Sequence, residues 1–153
     1  LKIHGEVENP LLLNWEQFKA LPQFRDMSDF HCVTTWSQFD MEFEGVSFFT
    51  LAELVKPKPS ATHLFFIGCD EYTTNAPLDA CMDDDVMIAH SWNGAPLTLE
   101  HGGPARMIIP KLYAWKGAKF IREIIFRDHD ELGFWEQRGY SNTADPFTED
   151  RFS

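Results

Sequence analysis

The 153-residue sequence has few cysteines and no pattern that pairs them. Its three cysteines, Cys32, Cys69 and Cys81, form neither a CxxC pair nor a zinc-knuckle spacing. A disulfide framework is therefore not expected, and a reducing compartment is compatible with this composition. The sequence also lacks an apolar run of the roughly 20 residues that a membrane-spanning helix needs. Because the opening LKIHGEVENP has no apolar signal-peptide core, a cytoplasmic location is favoured.

Basic residues are scarce as well. Thirteen lysines and arginines stand against 24 carboxylates, which leaves a net charge of −11. Such a chain is a poor match for nucleic acid or for an anionic membrane surface, since both attract proteins through basic groups. The nucleotide fingerprints GxGxxG and GxxxxGK[ST] are missing from the sequence. With 44% hydrophobic residues, the chain is expected to fold as a single domain over 1–153.

The few basic residues are concentrated in one stretch. From Arg106 to Arg127, six cations accompany one carboxylate, which gives this stretch a local charge of +5. A cationic segment in an acidic protein predicts a site for a small anion, because guanidinium and ammonium groups form strong hydrogen bonds with anionic oxygens. A basic edge strand that discourages sheet aggregation is the alternative.

Hydrophobic periodicity predicts strands interrupted by short helices. One helix is expected in NPLLLNWEQFKALPQ, with Asn14 as N-cap and Gln17 in a capping box. Another is expected in VSFFTLAELVKPKPS, from Ser47 to before Pro57. Strands are expected in LKIHGEV, SQFDMEFEG, THLFFIGCD, VMIAHSW, ARMIIP and KFIREIIFRD, and EYTTNAPLDACMDDD is predicted as a loop followed by a helical turn. This order favours a mixed α+β domain over a doubly wound sheet.

Cys32 lies in the apolar stretch DFHCVTTWSQFDMEFEG, between His31 and Trp36. A lone thiol is most often a packed core side chain, and on composition alone that is the expected role of Cys32. Cys69 is expected to be a core thiol as well, and Cys81 a packed residue of a helical turn.

Four blocks in order resemble the molybdopterin-binding domain of the sulfite oxidase family. They are HCVTTW with EGV behind it, EYTTNAPL, NGAPLTLEHGGPARMIIP and LYAWKGAKFIREI. The closing GFWEQRGY and DPFTEDRFS are similar to the tail of small single-domain members. The resemblance implies an α+β fold with a mixed, barrel-like sheet and short helices, and a molybdenum–molybdopterin cofactor. It also implies that the N-terminal segment of the family is missing before Leu1.

The resemblance implies a role for each block. Cys32 stands where the family has its metal thiolate, and a soft thiolate suits a high-valent metal already bound by sulfur. Tyr72 matches the tyrosine beside the metal, where a phenol can orient an oxo group or substrate. Five residues match positions that hold the pterin and its phosphate: His101, Arg106, Gly117, Ala118 and Lys119. From the residues alone, a structural histidine and a packed loop tyrosine are the alternatives for His101 and Tyr72.

The segment after Cys32 departs from the sulfite oxidase pattern. Sulfite oxidases supply an arginine there, whereas this chain has VTTWSQ and no basic residue before Lys56. Sulfite is a dianion near neutral pH and requires a fixed cation, so sulfite is expected to be a poor substrate. The cysteine–tryptophan pattern is closer to relatives that reduce methionine sulfoxide.

The sequence therefore predicts a molybdopterin-dependent oxidoreductase that transfers an oxygen atom in a two-electron reaction. A reductase of S-oxides or N-oxides and a cofactor-free binding module are the alternatives. The dimerisation domain of true sulfite oxidases is missing from the sequence. Because no haem segment is present either, a separate electron-transfer partner is expected.

Overall fold

A computed structural model describes residues 1–31, 37–111, 118–131 and 133, with side chains described outside 26–41. Within these ranges the chain forms two five-stranded sheets, three short α-helices and one 3-10 turn. This arrangement confirms the predicted α+β class with mixed strands and short helices. Between the described strands no closed barrel forms, so the expected barrel-like sheet is more accurately two open sheets.

The first sheet has the strand order β2-β1-β10-β5-β6. Its members are β1 (Lys2–Gly5), β2 (Leu11–Leu12), β5 (His63–Gly68), β6 (Thr73–Pro77) and β10 (Ile121–Arg127). Strand β1 runs parallel to β10, and the remaining pairs are antiparallel.

The second sheet is antiparallel and has the order β3-β4-β7-β8, with β9 pairing with β7 beside β8. Its members are β3 (Phe24–His31), β4 (Ser37–Ser47), β7 (Met87–Trp92), β8 (Ala95–Pro96) and β9 (Arg106–Ile108).

Three helices connect the strands: α1 (Trp15–Ala20), α2 (Phe48–Val55) and α3 (Leu78–Cys81). The predicted capping box is present, because Asn14 Oδ1 accepts from the Gln17 amide at 2.8 Å and Gln17 Oε1 accepts from the Asn14 amide at 2.9 Å. Ser47 caps α2 as predicted. None of the helices in the described ranges is long and apolar enough to cross a membrane.

The segment EYTTNAPL differs from the prediction, because it contains β6 where a loop was expected. Its asparagine and proline lower strand propensity, but β6 lies at the edge of the sheet, where proline is tolerated. Pairing with β5, in which Phe65 faces Asn75, supplies backbone hydrogen bonds that a local pattern does not reveal.

The second sheet has apolar residues on both faces. On β7, Ile88 points into the main core, whereas Met87 and Ala89 belong to a smaller cluster on the opposite face. Strand β9 pairs with β7 so that Arg106 lies opposite Ala89. Because alternate residues of a strand share a face, the Arg106 side chain lies on the face of the smaller cluster, as Ile108 does.

Candidate functional site

Arg106 places a positive charge inside the protein. Its side chain is 3% exposed, and its Nη1 donates a hydrogen bond to the carbonyl oxygen of His101 at 3.2 Å. Burial lowers the pKa of Arg106 to about 10, and the nearby Tyr72 phenol opposes this shift. The guanidinium is therefore protonated at neutral pH. An anionic ligand beside it would stabilise this buried charge.

Gly102 allows two cationic side chains to approach the same backbone. It has a left-handed φ of 97°. A Cβ atom at this position would lie 2.9 Å from Lys119 Cγ and 3.3 Å from Arg106 Cβ. Only glycine fits both the conformation and the space. We call the group formed by Gly102, Arg106 and Lys119 the cationic cradle.

The sequence predicted Arg106 and Lys119 as cofactor-binding residues, but Gly102 was not predicted. The signal for it was the Gly-Gly-Pro that follows His101, because a glycine pair marks a turn with unusual backbone angles.

The turn before the cradle is held by its own hydrogen bonds. The 3-10 turn Leu99–His101 begins after Thr98, whose hydroxyl accepts from the His101 amide at 3.3 Å. The exposed imidazole of His101 packs edge-on against Trp92, with ring centroids 4.5 Å apart. His101 therefore lies at the rim of the cradle, with its ring oriented by an aromatic contact.

Three backbone segments lie side by side at the site. The Phe120 amide donates to Gly102 O at 3.1 Å, and the Met107 amide donates to Ala118 O at 3.0 Å. On the other side, the Cys69 amide donates to Phe120 O at 2.7 Å. Residues 118–121 thus lie between the cradle turn and the turn that precedes Tyr72. This arrangement brings Tyr72, Arg106 and Lys119, which are far apart in sequence, to one region.

The other described cations of the +5 stretch have carboxylate partners elsewhere. Lys111 Nζ lies 3.1 Å from Asp83 Oδ2. Arg122 pairs with Glu71 and Glu123, and Arg127 with Glu131. The stretch is therefore not one basic patch, and among its described residues Arg106 and Lys119 are those that converge on Gly102.

The three cysteines differ in how far the structure tests their predicted roles. Cys32 and Trp36 lie outside the described residues, and so does Gly117. Cys81 is fully buried, which confirms its packing role. Cys69 is exposed, so the expected core thiol is wrong: it follows Gly68 in the turn after β5, where the chain has left the sheet.

The described residues fit a cofactor that carries a phosphate. The side chains of the buried Arg106 and of Lys119 pack with their stem carbons against Gly102, and their charged groups donate hydrogen bonds without accepting any. This is the donor chemistry that phosphate oxygens require. The smaller apolar cluster lies on the same face of the sheet as the Arg106 side chain.

Comparison with known proteins gives consistent matches. The sequence model of the family described as "Oxidoreductase molybdopterin binding domain" matches residues 1–135. The uncharacterized oxidoreductase YuiH of Bacillus subtilis is 40% identical over 153 residues, which are 100% of this chain and 77% of that protein.

Two further relatives are longer than this chain. The protein-methionine-sulfoxide reductase catalytic subunit MsrP of Gluconobacter oxydans is 28% identical, over 90% of this chain and 49% of that protein. The crystal structure of the sulfane dehydrogenase SoxCD from Paracoccus pantotrophus is similar with a TM-score of 0.76 and 26% identity. That likeness covers 91% of this chain and 40% of the other, so the chain spans about half or less of these two proteins.

Proposed function

We propose a specific reaction for this chain. The chain belongs to the oxidoreductase molybdopterin binding domain family and is an oxidoreductase of the sulfite oxidase type. The proposed reaction is two-electron transfer of an oxygen atom from a small neutral S-oxide or N-oxide, or in the reverse direction to the corresponding sulfide or amine. The observation that carries the proposal is the buried Arg106, whose side chain packs with that of Lys119 against Gly102.

The cradle would hold the phosphate end of the cofactor. Arg106 presents a planar set of donors that fits two phosphate oxygens, and Lys119 adds a second charge from the rim. His101 would contact the pterin from the edge of the site, and the backbone at Gly117 and Ala118 would approach it closely. Cys32 would ligate the metal as a thiolate. When bound, the molybdenum cofactor supplies the two-electron chemistry.

Tyr72 would act on the substrate side of the site. Its phenol lies within electrostatic reach of the Arg106 cation. In this position it would donate a hydrogen bond to a substrate oxygen. Tyr72 would then orient the oxygen that is transferred and hold a proton for it.

A neutral substrate is favoured by the charges around Cys32. No basic residue follows Cys32 before Lys56. Arg25 pairs with Glu44 at 3.3 Å and stands six residues before His31 on the same strand, roughly 20 Å away at 3.3 Å per residue. Arg25 is therefore a poor candidate for binding an anion beside Cys32. The relative named protein-methionine-sulfoxide reductase supports the same choice.

Electrons would be exchanged with a separate protein. The similar MsrP is named a catalytic subunit, which supports a division of labour between a catalytic chain and another subunit. We extend this arrangement to the present chain as part of the proposal.

Metal and pterin analysis of the purified protein tests the proposal first. We expect about one molybdenum and one pterin per chain after expression in a host that makes the cofactor, and turnover of methionine sulfoxide with a reduced artificial dye as electron donor. Well-folded protein that takes up neither metal nor pterin would support the cofactor-free binding module instead. A full complement of cofactor without turnover of S-oxides or N-oxides would contradict the proposed substrate class.

A further inference from the structure

The turn that carries Tyr72 has an unusual backbone. Residues 69–72 join β5 to β6, and the turn is closed by a hydrogen bond from the Gly68 amide to Tyr72 O at 2.9 Å. Glu71 has a left-handed φ of 70°, a conformation that non-glycine residues rarely adopt. Such a turn keeps its shape only where its neighbours hold it, so the groups that contact it decide where Tyr72 lies.

Asp70 is an exposed residue of this turn and forms a hydrogen bond within it. Its Oδ1 accepts a hydrogen bond from the Tyr72 amide at 3.1 Å, which is the geometry of an Asx turn. A Cβ atom on Gly68 would lie 2.6 Å from this same oxygen and 2.6 Å from Lys119 O. The Asp70 carboxylate is thus packed over Gly68, against the segment that carries Lys119.

This segment links the turn to the cationic cradle. The Cys69 amide donates to Phe120 O at 2.7 Å, and the Phe120 amide donates to Gly102 O at 3.1 Å. Two consecutive hydrogen bonds therefore connect the Tyr72 turn to Gly102. A change in the turn would therefore move the phenol relative to Arg106.

We propose that Asp70 is a positioning residue for the reaction: its carboxylate fixes the turn that holds Tyr72 beside the cationic cradle. The inference rests on the function proposed above for Tyr72. Asp70 acts here as a hydrogen-bond acceptor for a backbone amide. An asparagine, which offers a side-chain oxygen at the same place, should therefore replace it, whereas alanine should not.

Fluorine NMR tests the position of the tyrosine independently of the cofactor. The chain has three tyrosines, so 3-fluorotyrosine labelling gives three resonances, and Tyr72→Phe identifies the one of interest. We expect Asp70→Ala to shift the Tyr72 resonance and Asp70→Asn to leave it in place. Asp79→Ala, which removes an exposed aspartate from α3, is the matched control. Asp70→Gly also removes the acceptor and serves if Asp70→Ala does not fold.

Turnover of methionine sulfoxide by cofactor-loaded protein gives the functional measurement. We expect Asp70→Ala to lower kcat roughly tenfold with KM and pterin content unchanged, because misplacing a catalytic group slows the reaction step without weakening binding. Asp70→Asn should restore wild-type kcat. An unmoved Tyr72 resonance in Asp70→Ala, or equal loss of kcat in Asp70→Asn, would overturn the inference about Asp70. Full turnover in Tyr72→Phe would instead contradict the function proposed for the tyrosine.

Discussion

Arg106 combines burial with a charge that its surroundings oppose. Burial is the larger influence and lowers its pKa to about 10, while Tyr72 acts in the other direction. A phosphate in the cradle would reverse this balance, since a nearby anion favours the charged form. The residue is thus expected to contribute more to cofactor binding than to the stability of the empty fold.

Replacing Arg106 with alanine tests this expectation. The change removes one or two charge-assisted hydrogen bonds, each worth about 1.5–3 kcal/mol, so pterin affinity should fall roughly ten- to a hundredfold or more. Lys119→Ala should weaken pterin retention less, because the lysine is exposed. Pterin content after dialysis measures both effects. Lys58→Ala removes an exposed lysine from the loop after α2 and is the control. Normal pterin content in both cradle variants would show that these residues serve another purpose.

Cys32→Ser tests the proposed metal ligand. A hydroxyl is a harder and less acidic donor than a thiol, so the variant should lose molybdenum and turnover together. Molybdenum per folded chain, measured by mass spectrometry, checks the first effect. Cys81→Ala removes a buried thiol of α3 and should keep the metal content of the protein that folds. Unchanged metal content and turnover in Cys32→Ser would return this cysteine to a packing role.

His90 should make the fold sensitive to mild acid. Its ring Nε2 donates to Gln23 Oε1 at 2.7 Å, its Nδ1 forms a hydrogen bond with Ser91 Oγ at 2.8 Å, and the ring packs edge-on against Trp15 and Phe18. Burial and Lys19 lower the pKa of His90 below its usual 6.5, with Glu44 opposing. The unfolded chain therefore binds a proton more readily than the folded one, so stability is greatest above pH 6.5 and falls as the pH drops toward the lower folded pKa.

Urea unfolding of the wild type and His90→Gln at pH 7.5 and pH 5.5 measures this effect. The wild type should lose more free energy of unfolding between the two pH values than the variant does. Burial raises the pKa of Asp85, so its protonation stabilises the fold as the pH falls, opposite to the effect of His90. Because the wild type and the variant both contain Asp85, this contribution does not affect the comparison. Equal losses in the two proteins would mean that His90 does not contribute to the acid sensitivity.

At the scale of elements, helix α1 depends on its capping box. Asn14→Ala removes the side-chain acceptor of the Gln17 amide, and loss of such a cap costs about 1 kcal/mol. For a chain of this size the melting temperature should fall by roughly 2–4 °C. Asn14→Ser keeps an acceptor and should melt close to the wild type. If both variants melt at the wild-type temperature, the cap contributes nothing to global stability.

Helices α1 and α2 could be predicted from the sequence because their signals are local. Asn14, Gln17 and Ser47 act on amides two or three residues away, and Pro57 follows closely after the end of α2. Strand β6 could not be predicted in this way, since its hydrogen bonds come from β5. A pattern within ten residues does not contain that partner.

The candidate site was also predictable only in part, because some of its features are local and others depend on pairing between distant segments. Arg106 and Lys119 could be selected from residue types and the family resemblance. Their approach to Gly102 depends on the pairing of residues 118–121 with the cradle turn, which is not a local property. The local charge of +5 also overstated the basic patch, because Lys111 and Arg127 pair with carboxylates that lie outside the stretch from Arg106 to Arg127.

At the scale of the whole molecule, the net charge of −11 acts against anionic substrates. The effect is weak, because physiological salt screens charges beyond roughly 8–10 Å. A missing cation next to the reacting atoms matters more, since a charge-assisted contact is worth about 1.5–3 kcal/mol and an unpaired buried charge costs more still. Local charge near Cys32 should therefore decide the substrate, and long-range repulsion should only modify the rate.

Steady-state kinetics with sulfite and with methionine sulfoxide separate these two effects. We expect kcat/KM for sulfite oxidation to be at least tenfold below that for methionine sulfoxide reduction, because the dianion loses hydration without gaining a fixed cation, by about the 1.5–3 kcal/mol of one contact. Repeating both assays at high salt is the control. If repulsion by the −11 net charge were the main obstacle, salt would restore the sulfite rate, whereas a missing local cation leaves it low. A higher kcat/KM for sulfite than for the sulfoxide would show that an arginine from elsewhere in the chain reaches the substrate, and the neutral-substrate proposal would be wrong.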